Sequence, residues 1–411
     1  MTSNSIQNPS ETTKLKLLIL AIQHIFTMFG ATILVPILTG LNVSVALFTA
    51  GIGTLFFNRV TKNKVPVFLG SSFAYIGIIN IVKEKFGLEY ALGGIFFVGI
   101  IYVIMAIIVY KVGVDKVCKV LPAQVTYPLI IVIGIGLAPT AIDMASQNWY
   151  IATMAIVLMI LIGHFSKGFL KIIPVITTLI ISYLICLVFN QVDTSILTYK
   201  FVGIPEFMFP KFNLDAILMV LPVSIVTILE HIGDIEGVSL AIGKDIKKEV
   251  GLHRTLIGDG IATSLASLFG GPANTTYSEN TGVLILTKAT NPIIMVLAGF
   301  ISVLLAFNPF LASLIKSIPT PIIGGISIIL FGSIASVGIR GIKESSFEMN
   351  NKNLLIMSII LVFGIGIEEI ALFGFFNVSG LSLGAFVGIL LNLIIKDKEN
   401  VSEINEKAIN T

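Results

Sequence analysis

Charge is what this sequence has least of. Only 12% of its 411 residues are Asp, Glu, Lys or Arg, against roughly 25% in a typical soluble domain. A soluble fold of this length could not cover itself with so little polar material. That excludes a cytosolic enzyme, a nucleic-acid binder and a disordered scaffold. The net charge of +3 is too small to attract nucleic acid. Cysteine is nearly absent, and Cys118 and Cys186 make neither a disulfide framework nor a zinc site. They read as small core residues. Also missing is a short apolar leader with a small-residue cleavage site. The first apolar run, from Lys14 and Lys16 to about Leu38, is long and contains Gln23 and His24. It reads as a membrane helix.

What is present is hydrocarbon. Hydrophobic residues make up 55% of the chain, and mean hydropathy is +0.98. The class this leaves is an all-α polytopic membrane protein, since a spanning helix needs roughly 20 mainly apolar residues. Fourteen candidate spans are expected, near 15–38, 43–61, 65–82, 90–110, 122–142, 149–165, 169–189, 214–241, 252–269, 279–288, 292–313, 320–338, 353–371 and 380–395. With both termini cytoplasmic, only Lys83, Lys85, Lys200, Lys211 and Lys316 of the 26 basic residues fall outside. This is the positive-inside bias, and it places the chain in a cell membrane.

The two halves of the sequence echo each other. Ala50-Gly51-Ile52-Gly53-Thr54 resembles Asp259-Gly260-Ile261-Ala262-Thr263. Pro66 precedes Leu69-Gly70-Ser71-Ser72-Phe73, and Pro272 precedes Thr275-Thr276-Tyr277-Ser278-Glu279. Lys119-Val120-Leu121-Pro122 matches Lys316-Ser317-Ile318-Pro319. Seven spans per half would invert the second half relative to the first, as in secondary transporters. Segments 66–75 and 272–282 are then the interrupted helices. Their polar residues suit extended backbone buried in protein, able to pair as short antiparallel strands. The half-helices that follow would point N–H groups at the bilayer centre. The plainer alternative is a pair of kinked helices.

Ionisable residues inside spans are costly and mark function by default. Glu230, His231 and Asp234 lie in the eighth span, Asp259 in the ninth, Glu279 at the start of the tenth and His24 in the first. Glu230 and Asp234, four apart, share a helix face. The ordinary reading of each acid is a structural ion pair, but no Lys or Arg lies mid-span. A carboxyl without a basic partner suits two tasks, holding a polar neutral ligand and carrying a proton. No His/Asp metal cluster and no Ser/His/Asp constellation points to an enzyme, a metal or a cofactor.

These residues resemble the nucleobase–ascorbate transporter family, and within it the bacterial uracil permeases, over nearly the whole chain. The signature run is Glu279-Asn280-Thr281-Gly282-Val283-Leu284-Ile285-Leu286-Thr287-Lys288. Gln23-His24, Met28 to Pro36, Leu69 to Ala74, Glu230-His231-Ile232-Gly233 and Asn274 to Tyr277 add to it. The resemblance implies fourteen helices in two inverted repeats of seven, with short strands in spans 3 and 10. It implies a core domain (1–110 and 214–315) working against a gate domain (111–213 and 316–411). It implies proton-coupled nucleobase import and a homodimer in the lipid bilayer.

Glu279 at the first signature position is similar to uracil permeases. By the same resemblance Glu230 and Glu279 take the ring N–H groups of uracil. Backbone amides at Phe73 and Ser278 serve its carbonyls, and Phe73, Tyr277 and Ala31 wall the ring. Glu230, Asp234, His24 and Asp259 are the proton-coupling candidates. Asp234 stands where the uracil permeases carry His, and Ser278 where a Gly is usual. Asp234 and Asp259 look more like purine-type members. Phe331 fills a gate position where Tyr would be ordinary. A purine or xanthine symporter is therefore the alternative, and an anion carrier of related architecture the more distant one.

Overall fold

The computed structural model describes residues 14–113, 122–344, 349–367, 369–372 and 376–395. Cys118, Lys116, the Lys119–Leu121 part of the third echo, and the tail from Lys396 lie outside the described residues. The chain is mostly helical. It begins with α1 (Lys14–Thr39), α2 (Val43–Val60), β1 (Gly70–Ser71), α3 (Ile76–Lys85) and α4 (Leu88–Val112). It continues through α5 (Ala123–Gly136), α6 (Ala138–Ser146), α7 (Trp149–Phe165), α8 (Pro174–Val188), α9 (Leu214–Val220), α10 (Val223–Ile242) and α11 (Leu252–Leu268). Then come β2 (Asn274–Thr275), α12 (Ser278–Thr287), α13 (Ile293–Ala306), α14 (Pro309–Lys316) and α15 (Thr320–Glu344). Last are α16 (Asn351–Gly366), β3 (Glu369–Leu372), β4 (Phe376–Ser379) and α17 (Gly380–Ile394).

Among the described residues six helical stretches are long and apolar enough to cross a membrane unaided, or seven if α13 and α14, bent by 80°, are one span. Four further apolar helices, α7, α8, α16 and α17, are shorter. At about 1.5 Å per residue a 15-residue helix rises only some 22 Å, less than the ~30 Å of hydrocarbon. Length alone therefore recovers fewer crossings than hydropathy suggests. The expected span 353–371 ends earlier, at Gly366. Ile367 turns extended there, and a β3–β4 hairpin follows, with Glu369 opposite Ser379 and Leu372 opposite Phe376.

The chain forms two compact units. One comprises Met1–Lys111 and Leu137–Leu330, the other Val112–Gly136 and Phe331–Thr411. In the second unit α5, α16 and α17 pack together. Gln124 donates to Asn392 at 3.0 Å, and Gly364 packs against Val132 of α5.

The first unit holds every sequence-flagged acid of the spans. Small residues bring its helices close. A Cβ on Gly51 of α2 would lie 2.6 Å from the Gly299 carbonyl of α13, and Ser302 donates to the Leu47 carbonyl at 2.8 Å. In the same unit β1 and β2 pair antiparallel, Gly70 opposite Thr275 and Ser71 opposite Asn274. The Ser72 N–H extends the register by donating to Ala273 at 2.9 Å. Each strand hangs on a threonine. The Leu69 N–H donates to Thr54 Oγ1 of α2 at 2.9 Å, and Thr263 Oγ1 of α11 donates to the Asn274 carbonyl at 2.9 Å. Thr54 and Thr263 are the matched ends of the first sequence echo. Two-residue strands this deep leave little backbone unpaired because the hydroxyls and the Asn274 side chain, which donates to the Thr49 carbonyl at 3.1 Å, supply the missing partners.

Candidate functional site

Both strands lead into helix starts. After β1 the chain makes a 3-10 turn at Phe73–Tyr75 and enters α3; after β2 it enters α12. Among the described residues six α-helix starts are capped, Asn42, Asn148, Asn213, Asn308, Asn350 and Ser379 each accepting a backbone N–H of the helix they begin, whereas those after Leu137, Ile173, Pro222, Gly251 and Pro292 have no side-chain cap. The starts at Ser72 and Tyr277 have no side-chain cap. Their first N–H groups are thus not claimed by a cap, and the helix dipole adds partial positive charge there.

Four carboxyls gather beside these starts. Glu230 lies within electrostatic reach of Asp234, Glu279 and Asp259. Glu230 on α10 and Glu279 in the first turn of α12 are exposed, while Asp234 and Asp259 behind them are buried. Thr276 donates to Asp234 Oδ2 at 2.9 Å. Tyr277 is buried, and its hydroxyl donates to the Ser71 carbonyl across the strand pair. It also lies in the field of Glu279, Glu230 and Asp234. Its ring crosses Gly70, where a Cβ would come 2.6 Å from Cε2, so only glycine fits there. Phe73 is half-buried at the head of its turn. Ala31 is buried on α1, a helix packed on β1 and α12. Ser278 opens α12; its side chain lies outside the described residues.

Two buried polar links brace this cluster. His24 Nδ1 on α1 lies 2.8 Å from Asn280 Oδ1, and Asn280 Nδ2 donates to the Phe68 carbonyl at 3.0 Å. One asparagine thus ties α1, the approach to β1 and α12 together. On the other side His231 Nδ1 of α10 lies 2.8 Å from Asp259 Oδ2 of α11, both fully buried. For Asp259 this corrects the expectation that the buried acids lack a basic partner: its partner is a histidine on the next helix, not a Lys or Arg. The sequence does not single out Thr276 and Asn280 as site residues, and it marks His231 only as an ionisable residue of the eighth span. The signal available was their adjacency to Tyr277, Glu279 and Glu230.

Among the described residues no group of three or more His, Cys, Asp or Glu is arranged to hold a metal ion. A family model described as "Permease family" matches residues 15–372. This chain belongs to that family. The permease is 41% identical to the uracil permease of Bacillus caldolyticus over 93% of each chain. It is 40% identical to the probable uracil permease of Pasteurella multocida, over 96% of this chain and 98% of that one. With the uracil permease of Bacillus subtilis it shares 40% identity over 94% of each. It is a multi-pass membrane protein and a transporter rather than an enzyme. Its fold is also that of the transmembrane domain of a cyanobacterium bicarbonate transporter (TM-score 0.62, 14% identity, 92% of this chain and 96% of that one). The murine Solute Carrier 26 family member A9 anion transporter in the inward-facing state shares it too (TM-score 0.71, 10% identity, 96% and 73%).

Proposed function

We propose that this permease takes up uracil together with protons, opening one site to each side of the membrane in turn. The observation that carries the reading is the pair of exposed carboxyls, Glu230 and Glu279, beside two uncapped helix starts. Uracil has two N–H donors and two carbonyl acceptors. The glutamates accept the N–H groups, and the backbone N–H groups of Phe73 and Ser278 donate to the carbonyls. Phe73, Tyr277 and Ala31 wall the ring. The uracil permeases similar to this chain over nearly their whole length support the choice of ligand.

Glu230 or Asp234 takes up a proton outside and releases it inside. His24 and Asp259, tied to Asn280 and His231, serve better as supports than as carriers. The same reading takes the chain as fourteen crossings in two inverted repeats of seven. The paired roles of Thr54 and Thr263 support that symmetry. A core from spans 1–4 and 8–11 moves against a gate from spans 5–7 and 12–14, with both termini cytoplasmic, in a homodimer in the cell membrane.

Asp234 favours a second reading. A third carboxyl near Glu230 and Glu279 could accept a further N–H, as a purine such as xanthine would offer. An anion carrier fits worse, because facing glutamates repel anions.

The test is uptake of radiolabelled uracil into proteoliposomes, with and without an acid-outside pH gradient, with unlabelled bases as competitors. The gradient should raise accumulation, and uracil should compete better than xanthine. Glu230→Gln and Glu279→Gln should each lower uptake about ten-fold or more, the loss of one hydrogen bond to a charged acceptor. Parental uptake by both variants would overturn the reading.

A further inference from the structure

We propose that His231 is a positioning residue: it sets the rotation of α10 that presents Glu230 to the ligand. This rests on the reading above, in which Glu230 touches uracil.

Neighbouring residues on a helix point about 100° apart. Glu230 therefore faces the open side of α10 while His231 turns into the protein, where it is fully buried. Its ring is held at two points. Nδ1 lies 2.8 Å from Asp259 Oδ2, and Nε2 lies 3.0 Å from Thr255 Oγ1. Asp259 and Thr255 are one turn apart on α11, so the imidazole bridges two successive turns. One hold would let the ring pivot, whereas an ion-pair contact at one nitrogen and a hydrogen bond at the other restrain its direction and height. Thr255 is itself anchored, donating to the Leu252 carbonyl at 2.9 Å. The Tyr102 ring of α4 meets the imidazole edge-on at 6.3 Å.

The Glu230 face of α10 has a buried side-chain hold of its own, Thr276 donating to Asp234 Oδ2 at 2.9 Å. A Cβ on Gly233 would meet nothing within 4 Å, and one on Gly237 only Thr281 at 3.8 Å. Around these two glycines the packing is loose. The two holds on His231 act from the buried side, where they fix the rotation of the helix. With side chains the helix radius is about 5–6 Å, so a rotation of about 10° carries the Glu230 carboxyl about 1 Å. Misplacement on that scale costs up to about a hundred-fold where geometry matters.

The experiment is a double-mutant cycle on the full-length protein in proteoliposomes, reading equilibrium binding of radiolabelled uracil. Thr255→Val removes one of the two holds while keeping the side chain's shape, and it spares the fold, whereas His231→Gln strips the buried Asp259 of its partner. In the parental background it should weaken binding about ten-fold; in the Glu230→Gln background it should add nothing. An equal loss in both backgrounds, or none in the parent, overturns the inference and leaves the uracil reading standing. A parental protein that binds no uracil overturns that reading and this inference with it. A second measurement needs no ligand. In a Cys118→Ala, Cys186→Ala background, Thr255→Val should change the reaction rate of Glu230→Cys with a water-soluble maleimide several-fold. An unchanged rate overturns the inference.

Discussion

Replacing Thr54 by valine tests how the strand pair is held. The hydroxyl accepts the Leu69 N–H at 2.9 Å and donates to the Ala50 carbonyl at 2.8 Å, with both residues fully buried. Valine keeps the shape of the side chain and deletes the acceptor. The Leu69 amide is then buried without that partner, at a cost of about 1–3 kcal/mol. Thr263→Val is the matched change on β2, but there the hydroxyl is the donor, to the Asn274 carbonyl at 2.9 Å. An under-satisfied carbonyl is tolerated better than an orphaned N–H. Thr54→Val should therefore be the more damaging of two nearly isosteric changes. The assay is heating of detergent-purified protein followed by gel filtration, recording the temperature at which half survives monodisperse. Thr54→Val should fall clearly below the parent and below Thr263→Val. A Thr54→Val protein that survives as well as the parent, or a reversed order, would refute the claim that the Thr54 hydroxyl anchors the strand.

Asn280→Ala should lower stability by about 2–4 kcal/mol in the same assay, because it strips partners from both His24 and the Phe68 carbonyl in a buried setting. Gly51→Val should abolish well-folded protein by driving α2 from α13, whereas Gly332→Ala, exposed and with nothing within 4 Å of the added carbon, should be neutral or gain up to about 1 kcal/mol of helix propensity; equal expression of both would count against close packing at Gly51. Gly70→Ala should displace the Tyr277 ring and weaken uracil binding by about ten-fold or more without loss of secondary structure by circular dichroism. Unchanged affinity would remove Tyr277 from the wall of the site.

What the sequence made legible was the positions that break a rule of the bilayer. Acids within apolar runs and polar, proline-led interruptions stand out because each is expensive there. Residues 66–75 and 272–282 stood out this way, and the strand pair falls within them. Crossings were less legible, because hydropathy reports apolar content and not helix length. A 15-residue helix such as α8 reads the same as a longer one until its ends are seen. Pairings were least legible. Thr255 and Asp259 lie 24 and 28 residues from His231, on another helix, and nothing in local spacing joins them. A basic partner need not be Lys or Arg: the His231 imidazole lies 2.8 Å from Asp259.

The similarity to bicarbonate and anion transporters sharpens the question of what selects the ligand. A fold shared at 10–14% identity can carry backbone geometry but not side-chain chemistry. In this chain that geometry supplies two uncapped helix starts with partial positive charge. Alone they would favour an anion or a carbonyl oxygen. Glu230 and Glu279 add acceptors with negative charge in the same neighbourhood. An anion then gains at the helix starts and loses at the acids, whereas a flat neutral ring with both N–H and C=O groups gains at each. On the proposed reading the choice between anion and nucleobase would rest on two side chains, and the choice among nucleobases on Asp234, which Thr276 holds beside them.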